Sequence, residues 1–408
     1  MSCRLPQQIG ASRADTIDDF QGKSILFIGV FTRPQQTSAK WLGMKTVCID
    51  GFCSFDLRKT ADCCLELLDS EDPLSNNAKE TIRAQNEEKK FDSFLSIDAK
   101  NLEEKYKESL LNVPDHGYDF VYLDSYLFNS RQLWAVMRNF ENLVVKIDPS
   151  KIEMLQALNN SLLLQSEQDN QILKTNYRIS YMVACVGEDT MEILMKSIEI
   201  IDQSHHFPII KSTLEISDSD KNNVEVSKLK DFCQQYSFRG IIEFIFTCDP
   251  ELAEENQFVP RELMEIRPYI DNNTIELFET ATGINLMALD LLIITNKSYP
   301  HQLFREDAKN RLFKAFDSKF KWSLFRFFSL VRFSVFADIG GYGFRDIPMP
   351  GSQIQRGMPI CSEVSQNICN EPNSEGIIKN IEDLKSKYEN EKDFVFKILG
   401  VHYYLKKP

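Results

Sequence analysis

The sequence lacks the features of a membrane-spanning or nucleic-acid-binding protein. No stretch approaches the ~20 apolar residues that a membrane helix needs, and residues 1–22 contain no apolar core of signal-peptide type. Basic residues are outnumbered, with 47 Lys and Arg against 60 Asp and Glu, and the net charge of -13 argues against nucleic-acid or anionic-membrane binding. We therefore expect a cytoplasmic protein without a polyanionic partner.

Zinc motifs and a glycine-rich nucleotide loop are also absent. The ten cysteines contain no Cys-x-x-Cys pair, so we interpret them mostly as buried thiols of a reducing compartment, with Cys63 and Cys64 in the core. His205 and His206 have no carboxylate or cysteine at ligand spacing, which favours a surface pair over a metal site. Gly29 follows the first apolar run alone, and a tight turn is the simpler explanation for it.

The composition is that of a globular protein. The chain has 408 residues, 43% hydrophobic and 26% charged, enough for two or three cores. After a polar, flexible arm over residues 1–22, short apolar runs alternate with helix-like spacing over residues 23–150. This alternation predicts a doubly wound parallel sheet that binds ligands at its carboxyl edge, where Thr32 and Arg33 lie.

A helix is predicted to begin near residue 150. Ser150 is a suitable N-cap, and Glu153 completes a capping box. Lys151 lies in the first turn, where a cation gains nothing from the helix dipole. It either contacts an anionic ligand or is a surface lysine.

Two apolar runs each contain one carboxylate, Glu243 in RGIIEFIF and Glu265 in LMEIRPYI. A carboxylate inside a buried strand is energetically unfavourable unless a cation or hydrogen bonds compensate its charge. If the runs are neighbouring antiparallel strands, both carboxylates project from one face, which suits a divalent cation carrying a nucleotide phosphate. Alternation puts Arg267 on the same face. Because a guanidinium cannot ligate a metal, Arg267 either pairs with a phosphate or pairs with the two carboxylates in a salt-bridge cluster.

The C-terminal part of the chain contains weaker signals. Residues 313–336 interleave aromatic residues with Lys and Arg, and their spacing predicts an amphipathic helix rather than a nucleic-acid surface. Residues 340–344, GGYGF, predict a turn. Residues 376–399 predict a charged amphipathic helix.

In this order, the segments resemble the ATP-grasp superfamily, and most closely the predicted ATP-dependent carboligases related to biotin carboxylase. The resemblance spans most of the chain and rests on a T-R-P turn at 32–34, D-L-R at 56–58, G-x-x-E-F at 240–244, A-T-G-x-N-L at 281–286 and D-x-P at 346–348. It implies a Rossmann-like pre-ATP-grasp domain with a parallel sheet over residues 23–150. A truncated ATP-grasp α+β domain with an antiparallel sheet would follow over residues 151–300, completed by helices and a strand pair over residues 301–408.

The resemblance implies an enzyme that phosphorylates a carboxylate with ATP and lets an amine displace phosphate from the acyl phosphate. Its substrates would be a small-molecule carboxylate and an amine, and its cofactors ATP and Mg²⁺. Glu243 falls on the family's first metal-binding carboxylate and Glu265 on the second, bridging one. Lys151 falls near a phosphate-contacting lysine, and Arg267 would be the catalytic residue at the transferred phosphate.

The sequence departs from the family at two places. Arg267 stands where the family has a metal-binding asparagine, and Tyr269 stands where it has an arginine. Before the strand at Tyr177, the glycine-rich lid over the phosphates is missing, and only Lys174 and Arg178 provide cofactor-binding cations there. The alternative is therefore a non-catalytic relative that binds a metabolite or a protein partner, and a homodimer is the ordinary expectation for either.

Overall fold

The computed structural model describes most of the chain between residues 19 and 399. The described residues are 19–51, 53–66, 107, 110, 117–128, 130–168, 177–186, 191–201, 208–216, 224–255, 257–295, 310, 312, 314–330, 332–335, 339–348, 350–354, 358–367 and 380–399. Lys174, the pair His205–His206 and most of the predicted N-terminal arm lie outside these residues, so the predictions made for them stay predictions.

The first sheet is parallel, as the alternating pattern predicts. Its strands are β1 (Ser24–Gly29), β2 (Lys45–Asp50), β3 (Cys63–Glu66) and β4 (Phe120–Leu123), in the order β3-β2-β1-β4. The helices whose bounds the structure describes in this part are α1 (Arg33–Trp41), α2 (Phe55–Thr60), α3 (Ser125–Phe128) and α4 (Arg131–Met137). The strand order reverses at β1, and the loops after β1 and β4 therefore meet at the carboxyl edge where such sheets bind ligands.

The second sheet is antiparallel throughout its seven described strands. They are β5 (Tyr177–Cys185), β6 (Met191–Ile201), β7 (Pro208–Leu214), β8 (Gly240–Cys248), β9 (Pro260–Arg267), β10 (Trp322–Phe328) and, after a separate pair β11 (Phe333–Ser334) and β12 (Gln353–Ile354), β13 (Pro359–Gln366). Their order is β13-β10-β7-β6-β5-β8-β9. Together the two sheets confirm the predicted fold class, while the boundaries drawn at residues 150 and 300 stay predictions.

Helices cover the second sheet and join it to the first. They are α5 (Ile152–Gln168), α6 (Val224–Tyr236), α7 (Pro250–Glu254), α8 (Asn272–Thr282), α9 (Leu286–Ile294) and α10 (Ile381–Ile398). α8 packs between the two layers, with α1 on one side and β7, β10 and β13 on the other. Gly283 ends α8 with φ of 69°, and Asn285 caps α9 by accepting a hydrogen bond from the Ala288 N–H. The A-T-G-x-N-L motif thus forms the turn between two buried helices.

The connection between α5 and β5 is short. α5 ends at Gln168 and β5 begins at Tyr177, so residues 169–176 are all that separates them. A segment of this length cannot fold into a subdomain with its own core. The truncation predicted from the sequence is therefore confirmed.

Residues 313–336 do not form the predicted amphipathic helix. They contain β10, which lies inside the sheet between β13 and β7 and is buried from Ser323 onward. Arg326 is buried in this strand and its guanidinium lies 4.9 Å from the centre of the Phe31 ring. The prediction was wrong because a strand covered on both faces is as apolar as a buried helix, so periodicity cannot separate the two.

Three cysteines differ from the prediction of reduced, buried thiols. Cys53 and Cys64 form a disulfide over a sequence separation of 11, and Cys63 is exposed because β3 is an edge strand of the parallel sheet. The prediction is confirmed for the buried free thiols of Cys48, Cys185, Cys233, Cys248 and Cys361. The cytoplasmic location stays a prediction.

None of the described helices is by itself both long and apolar enough to cross a membrane. α8 and α9 meet the requirements of length and composition only as a pair, which is bent by 111°. Both helices are largely buried in the protein interior.

Glu279 is a buried carboxyl group at the contact between α8 and α1. Its Oε1 accepts hydrogen bonds from Ser38 Oγ at 2.5 Å and from the Leu286 N–H at 2.7 Å. Burial outweighs these hydrogen bonds and raises the pKa of Glu279 to about 8. The side chain is therefore protonated in the folded protein at neutral pH.

We expect Glu279 to make the protein less stable as the pH rises. A carboxyl group with a raised pKa contributes its full stability below its unfolded pKa of about 4.3, and that stability is lost as the pH rises through about 8. Because glutamine cannot ionise, the free energy of unfolding of Glu279→Gln should rise relative to that of the wild type. The expected rise is about 1.4 kcal/mol for each pH unit between the two pKa values. Urea unfolding of both proteins at acidic, neutral and alkaline pH measures this gain, and parallel pH profiles would contradict it.

Candidate functional site

Charged residues line one face of the antiparallel sheet. In the strand register, Glu199 of β6 lies opposite Lys211 of β7 and Arg178 of β5, while Glu243 of β8 lies opposite Arg267 of β9. Side chains alternate along each strand, and the register across β5 puts these five on the same face. The sequence prediction that Glu243 and Arg267 share a face is therefore correct.

Lys211 lies at the centre of these charges. Its Nζ is 2.9 Å from Glu199 Oε1, 2.5 Å from Glu243 Oε1 and 2.6 Å from Thr274 Oγ1, and its side chain is fully buried. An ammonium group has three N–H donors, so these three acceptors use all of them. Ser180 donates a further hydrogen bond to Glu243 Oε1.

Arg267 pairs with the carboxylates rather than being left for a phosphate. Its Nε and Nη2 lie 2.9 Å and 2.8 Å from Glu265 Oε2. Its Nη1 lies 3.7 Å from Glu243 Oε2 and 3.6 Å from Glu199 Oε1. Of the two roles that the sequence leaves open, the structure shows the ion pair, and a catalytic role for Arg267 stays a prediction. We call the following residues the charge cluster: Arg178, Glu199, Lys211, Glu243, Glu265, Arg267 and Asp271.

Attraction between the opposite charges outweighs their burial. Burial opposes the ionisation of Glu199, but the positive charges of Lys211 and Arg267 lower its pKa to about 2. The pKa of Glu243 is lowered for the same reasons. Burial likewise opposes protonation of Lys211, and its two glutamate partners nevertheless raise its pKa. These groups therefore remain charged across the physiological pH range.

The residues present do not fit the Mg²⁺ ion that the resemblance implies at Glu243 and Glu265. Mg²⁺ needs oxygen ligands at about 2.0–2.1 Å in near-octahedral geometry. Glu265 Oε2 instead accepts a hydrogen bond from Arg267 Nε and forms an ion pair with Arg267 Nη2, and Glu243 Oε1 accepts a hydrogen bond from Lys211. Among the described residues, no three His, Cys, Asp or Glu side chains are arranged to hold a metal ion. The protein's own cations lie where the metal would be needed.

Of the other residues predicted to bind the cofactor, only one lies in the charge cluster among the described residues. Arg178 joins the charge cluster, where its charge helps to lower the pKa of Glu199. Lys151 donates a hydrogen bond to Ser237 Oγ at 3.0 Å, before the start of β8, and not to a residue of the cluster. Lys174 lies outside the described residues.

Ser150 is not the N-cap of the helical segment that leads into α5. The carboxylate of Asp148 accepts hydrogen bonds from the Ser150 N–H at 3.0 Å and from Ser150 Oγ at 2.7 Å. Asp148 is the N-cap of a 3-10 turn, Pro149–Lys151, that leads into α5. The sequence prediction placed the cap two residues too late because a serine and an aspartate are both good N-cap residues.

The sequence interpretation did not single out Glu199, Lys211 and Asp271. Glu199 and Lys211 are single charges inside the apolar runs of β6 and β7, which is the signal that identified Glu243. Asp271 gives no comparable signal, because an aspartate before a helix normally acts as an N-cap. The structure shows that it does not cap α8 with its side chain.

Gly240, the first residue of the G-x-x-E-F motif, is required by its surroundings. Its φ is 101°, and a Cβ atom there would lie 2.6 Å from Asp290 Oδ1. That oxygen accepts a hydrogen bond from the Ile241 N–H, and the other carboxylate oxygen lies 2.5 Å from Lys146 Nζ. The glycine therefore lets β8 approach a buried ion pair, which holds the strand that carries Glu243.

A second buried ion network connects the T-R-P, D-L-R and D-x-P motifs. Arg33 Nε lies 2.6 Å from Asp346 Oδ1 and 3.2 Å from Asp56 Oδ2, and its Nη2 lies 2.6 Å from Glu276 Oε2. Arg345 pairs with the other oxygen of Glu276. Residues that are far apart in the sequence thus fix the carboxyl edge of the parallel sheet to α8 and to the segment before β13.

A parallel sheet followed by this antiparallel sheet is an α/β ATP-grasp fold. The biotin carboxylase subunit of pyruvate carboxylase matches it with a TM-score of 0.51 and 12% identity, over 85% of this chain and 87% of that one. Pyruvate carboxylase of Rhizobium etli matches with a TM-score of 0.51 and 13% identity, over 84% of this chain and 34% of that one. Urea carboxylase of Kluyveromyces lactis matches with a TM-score of 0.50 and 12% identity, over 85% of this chain and 28% of that one.

The chain spans about a third of the R. etli enzyme and somewhat more than a quarter of the K. lactis enzyme. No protein-family model matches the sequence, and no curated protein sequence is significantly similar to it. At these identities the similarity establishes the fold alone. The ATP-grasp resemblance read from the sequence motifs is confirmed at that level.

Proposed function

We propose that this protein is a non-catalytic ATP-grasp homologue that binds a small metabolite or a protein partner. The charge cluster is the observation that carries this proposal. Lys211 and Arg267 neutralise the carboxylates that the family resemblance assigns to Mg²⁺. Since Glu243 Oε1 and Glu265 Oε2 already accept hydrogen bonds from these two cations, a metal ion bound to these oxygens would have to displace a buried lysine or a guanidinium, which leaves one buried charge without a partner.

The short connection before β5 supports the same proposal. Transfer of a phosphoryl group needs the phosphates to be surrounded by fixed charges and shielded from water, commonly by a closing loop or lid. Residues 169–176 are too few for the glycine-rich lid of the family. They also contain no glycine, so close approach of the backbone to phosphates is difficult.

An ATP-dependent carboxylate–amine ligase is the second candidate. Glu243 and Glu265 lie on adjacent antiparallel strands and on one face, as the resemblance requires. In this case ATP and Mg²⁺ would bind at the cluster, with Arg267 and Lys151 at the phosphates and a small carboxylate and an amine as substrates. Both candidates act on small molecules or proteins in the cytoplasm, and neither requires a nucleic acid or a membrane.

Calorimetric titration with ATP, with and without Mg²⁺, separates the two candidates. For a non-catalytic homologue we expect no heat beyond dilution for the wild type or for Glu265→Gln. Glu262→Gln is the matched control, since Glu262 is exposed on the same strand. Mg²⁺-dependent ATP binding that weakens at least about tenfold in Glu265→Gln, equivalent to about 1.4 kcal/mol, but not in Glu262→Gln, would overturn the proposal and favour the ligase.

A further inference from the structure

Two buried thiols face each other between β5 and α6. Cys185 is the last residue of β5, and Cys233 lies three residues before the end of α6. Their Sγ atoms are 3.1 Å apart, although 48 positions separate the two residues in the sequence. A disulfide has a sulfur–sulfur distance of about 2.05 Å, so a movement of about 1 Å, which small rotations of the two side chains can supply, would join the two elements.

This contact between two sulfur atoms differs from the contacts of other buried thiols. Cys48 hydrogen-bonds to the side chain of Thr32, and the Cys248 thiol donates to the Asp249 carbonyl oxygen at 3.7 Å. A buried free cysteine usually serves only as a small apolar side chain. Cys185 and Cys233 can do more, because each places a second thiol within reach of the other.

The two sulfur atoms differ in access. Cys185 is 1% exposed and Cys233 is 7% exposed, so a small oxidant reaches Cys233 first. Cys185 donates its S–H hydrogen to Cys233 and therefore already points at the sulfur that it would attack. A reactive cysteine with a resolving cysteine beside it is the arrangement of a peroxide-sensitive thiol pair.

A nearby cation suits Cys185 to the second of these roles. The hydrogen bond to Cys233 and burial raise the pKa of Cys185 well above its usual range, while the positive charge of Lys146 opposes them. Lys146 is buried in an ion pair with Asp290, whose negative charge offsets part of this effect. The raised pKa keeps Cys185 protonated and unreactive before Cys233 is oxidised, and Lys146 favours the thiolate that the second step requires.

The thiol pair lies where α6 turns into β8. In the strand register Cys185 is opposite Gly240, the first residue of β8. The turn between Cys233 and Gly240 is held by the N–H of Arg239, which donates to the Lys146 carbonyl oxygen at 2.8 Å. Lys146 belongs to the segment that leads from the parallel sheet to α5. A bond between Cys185 and Cys233 would therefore fix α6 to β5 beside the contact between the parts of the chain that carry the two sheets.

We propose that Cys185 and Cys233 are a modification site at which hydrogen peroxide forms a reversible disulfide. The Cys233 thiolate attacks one oxygen of the peroxide, the O–O bond breaks, and Cys233 becomes a sulfenic acid while the other oxygen leaves as water. Cys185 then attacks the Cys233 sulfur, the S–O bond breaks, and the hydroxyl group leaves with the Cys185 proton as a second water. The two thiols lose two electrons to one peroxide, and a dithiol reductant returns them.

This inference goes beyond the proposed binding function and concerns regulation of the scaffold. Disulfides in a reducing compartment are usually transient and redox-sensing. A bond that forms with peroxide and breaks with a dithiol is of that kind, and it agrees with the predicted cytoplasmic location.

Peptide mass spectrometry of the full chain tests the inference. The native protein is treated with a small molar excess of hydrogen peroxide, and its remaining thiols are then blocked with iodoacetamide. We expect a peptide that links Cys185 to Cys233 and that disappears with dithiothreitol. Cys248 is the matched control, since it is 1% exposed and its thiol contacts an oxygen, and it should be oxidised at least about tenfold more slowly. No linked peptide, or one that forms only in urea, would overturn the inference.

Variants assign the two roles. Cys185→Ser removes the resolving thiol, so the sulfenic acid of Cys233 should accumulate and be labelled by dimedone at least about tenfold more than in the wild type. Cys233→Ser should leave Cys185 almost unlabelled, and Cys248→Ser should leave the linked peptide unchanged. The alanine variants replace the serine variants should either fail to fold. Equal labelling of Cys233 in one variant and Cys185 in the other would overturn the assignment of Cys233 as the reactive thiol.

The bond should also stabilise the protein reversibly. A disulfide that closes a loop of this length constrains the unfolded chain, and it should raise Tm by about 2–5 °C. Cys233→Ser in the same oxidised and reduced states is the reference, because it keeps the disulfide between Cys53 and Cys64 and lacks the new bond. Hydrogen exchange at the Arg239 amide should slow on oxidation in the wild type only. A linked protein whose Tm and exchange both match the reduced form would overturn the role of the bond as a clamp.

None of these measurements requires ATP, Mg²⁺ or a metabolite. Failure of the thiol pair to react therefore leaves the non-catalytic scaffold in place, and ATP binding that depends on Mg²⁺ and Glu265 leaves the thiol pair in place.

Discussion

Replacing Lys211 with methionine is expected to lower the free energy of unfolding by about 3–5 kcal/mol. Methionine fills a similar volume but leaves the fully buried carboxylates of Glu199 and Glu243 without their shared cation. An isolated buried charge is far less favourable than a buried pair, which is why removing one partner costs more than the pair itself contributes. Equilibrium unfolding in urea, with the midpoint and slope fitted separately, measures the loss.

Two further variants show whether charge or shape is responsible. Adding Glu243→Gln to Lys211→Met should recover part of the lost stability, since the double variant has one buried negative charge fewer. Lys385→Met is the surface control, because Lys385 pairs with Glu382 at a site where both side chains are more than a third exposed. Such pairs contribute about 0–1 kcal/mol. A loss in Lys211→Met no larger than in this control would contradict the described cluster.

The second large effect is expected at Arg33. Arg33→Met should lower the free energy of unfolding by about 3–5 kcal/mol, because it leaves Asp346 and Glu276 buried without their shared guanidinium. Arg33→Lys keeps the charge but not the fork of donors that reaches two carboxylates, so it should recover only part of the loss. Urea unfolding at neutral pH measures both variants, and Arg261→Lys at an exposed pair with Asp249 is the control.

The Arg33 network also predicts a pH dependence. Burial opposes ionisation of Asp346, but the charge and hydrogen bonds of Arg33 lower its pKa to about 2. A carboxyl group with a lowered pKa contributes stability above its unfolded pKa of about 3.9, and this stability is lost as the pH falls through about 2. The wild type and Arg33→Met should therefore converge in stability at acidic pH. If the difference in free energy of unfolding between the two proteins stays constant down to pH values near 2, the ion pair between Arg33 and Asp346 does not account for the lost stability.

Local patterns in the sequence predicted much of the site. A single carboxylate inside an apolar run identified Glu243 and Glu265, and the two-residue period of a strand put Arg267 beside them. These are properties of neighbouring residues along the chain, so they can be read without knowing which strands meet. Glu199 and Lys211 give the same signal, a single charged residue inside an apolar run. The sequence does not show which charges they pair with, because strand order cannot be read from one strand.

The errors have an equally physical origin. Residues 313–336 were predicted as a helix because an apolar strand covered on both faces has no alternation to reveal it. The disulfide between Cys53 and Cys64 was missed because its two cysteines are brought together by the position of β3 at the edge of the sheet. Sequence spacing does not contain that information.

The class of fold, the truncation before β5 and the need of the buried carboxylates for a cation all follow from patterns in the sequence. Which cation meets these carboxylates becomes visible only in the folded protein. Lys211 reaches Glu243 because β7 and β6 pair on one side of β5 while β8 pairs on the other. The identity of a buried charge's partner depends on strand order and side-chain reach, and both are set by the packing of the whole sheet.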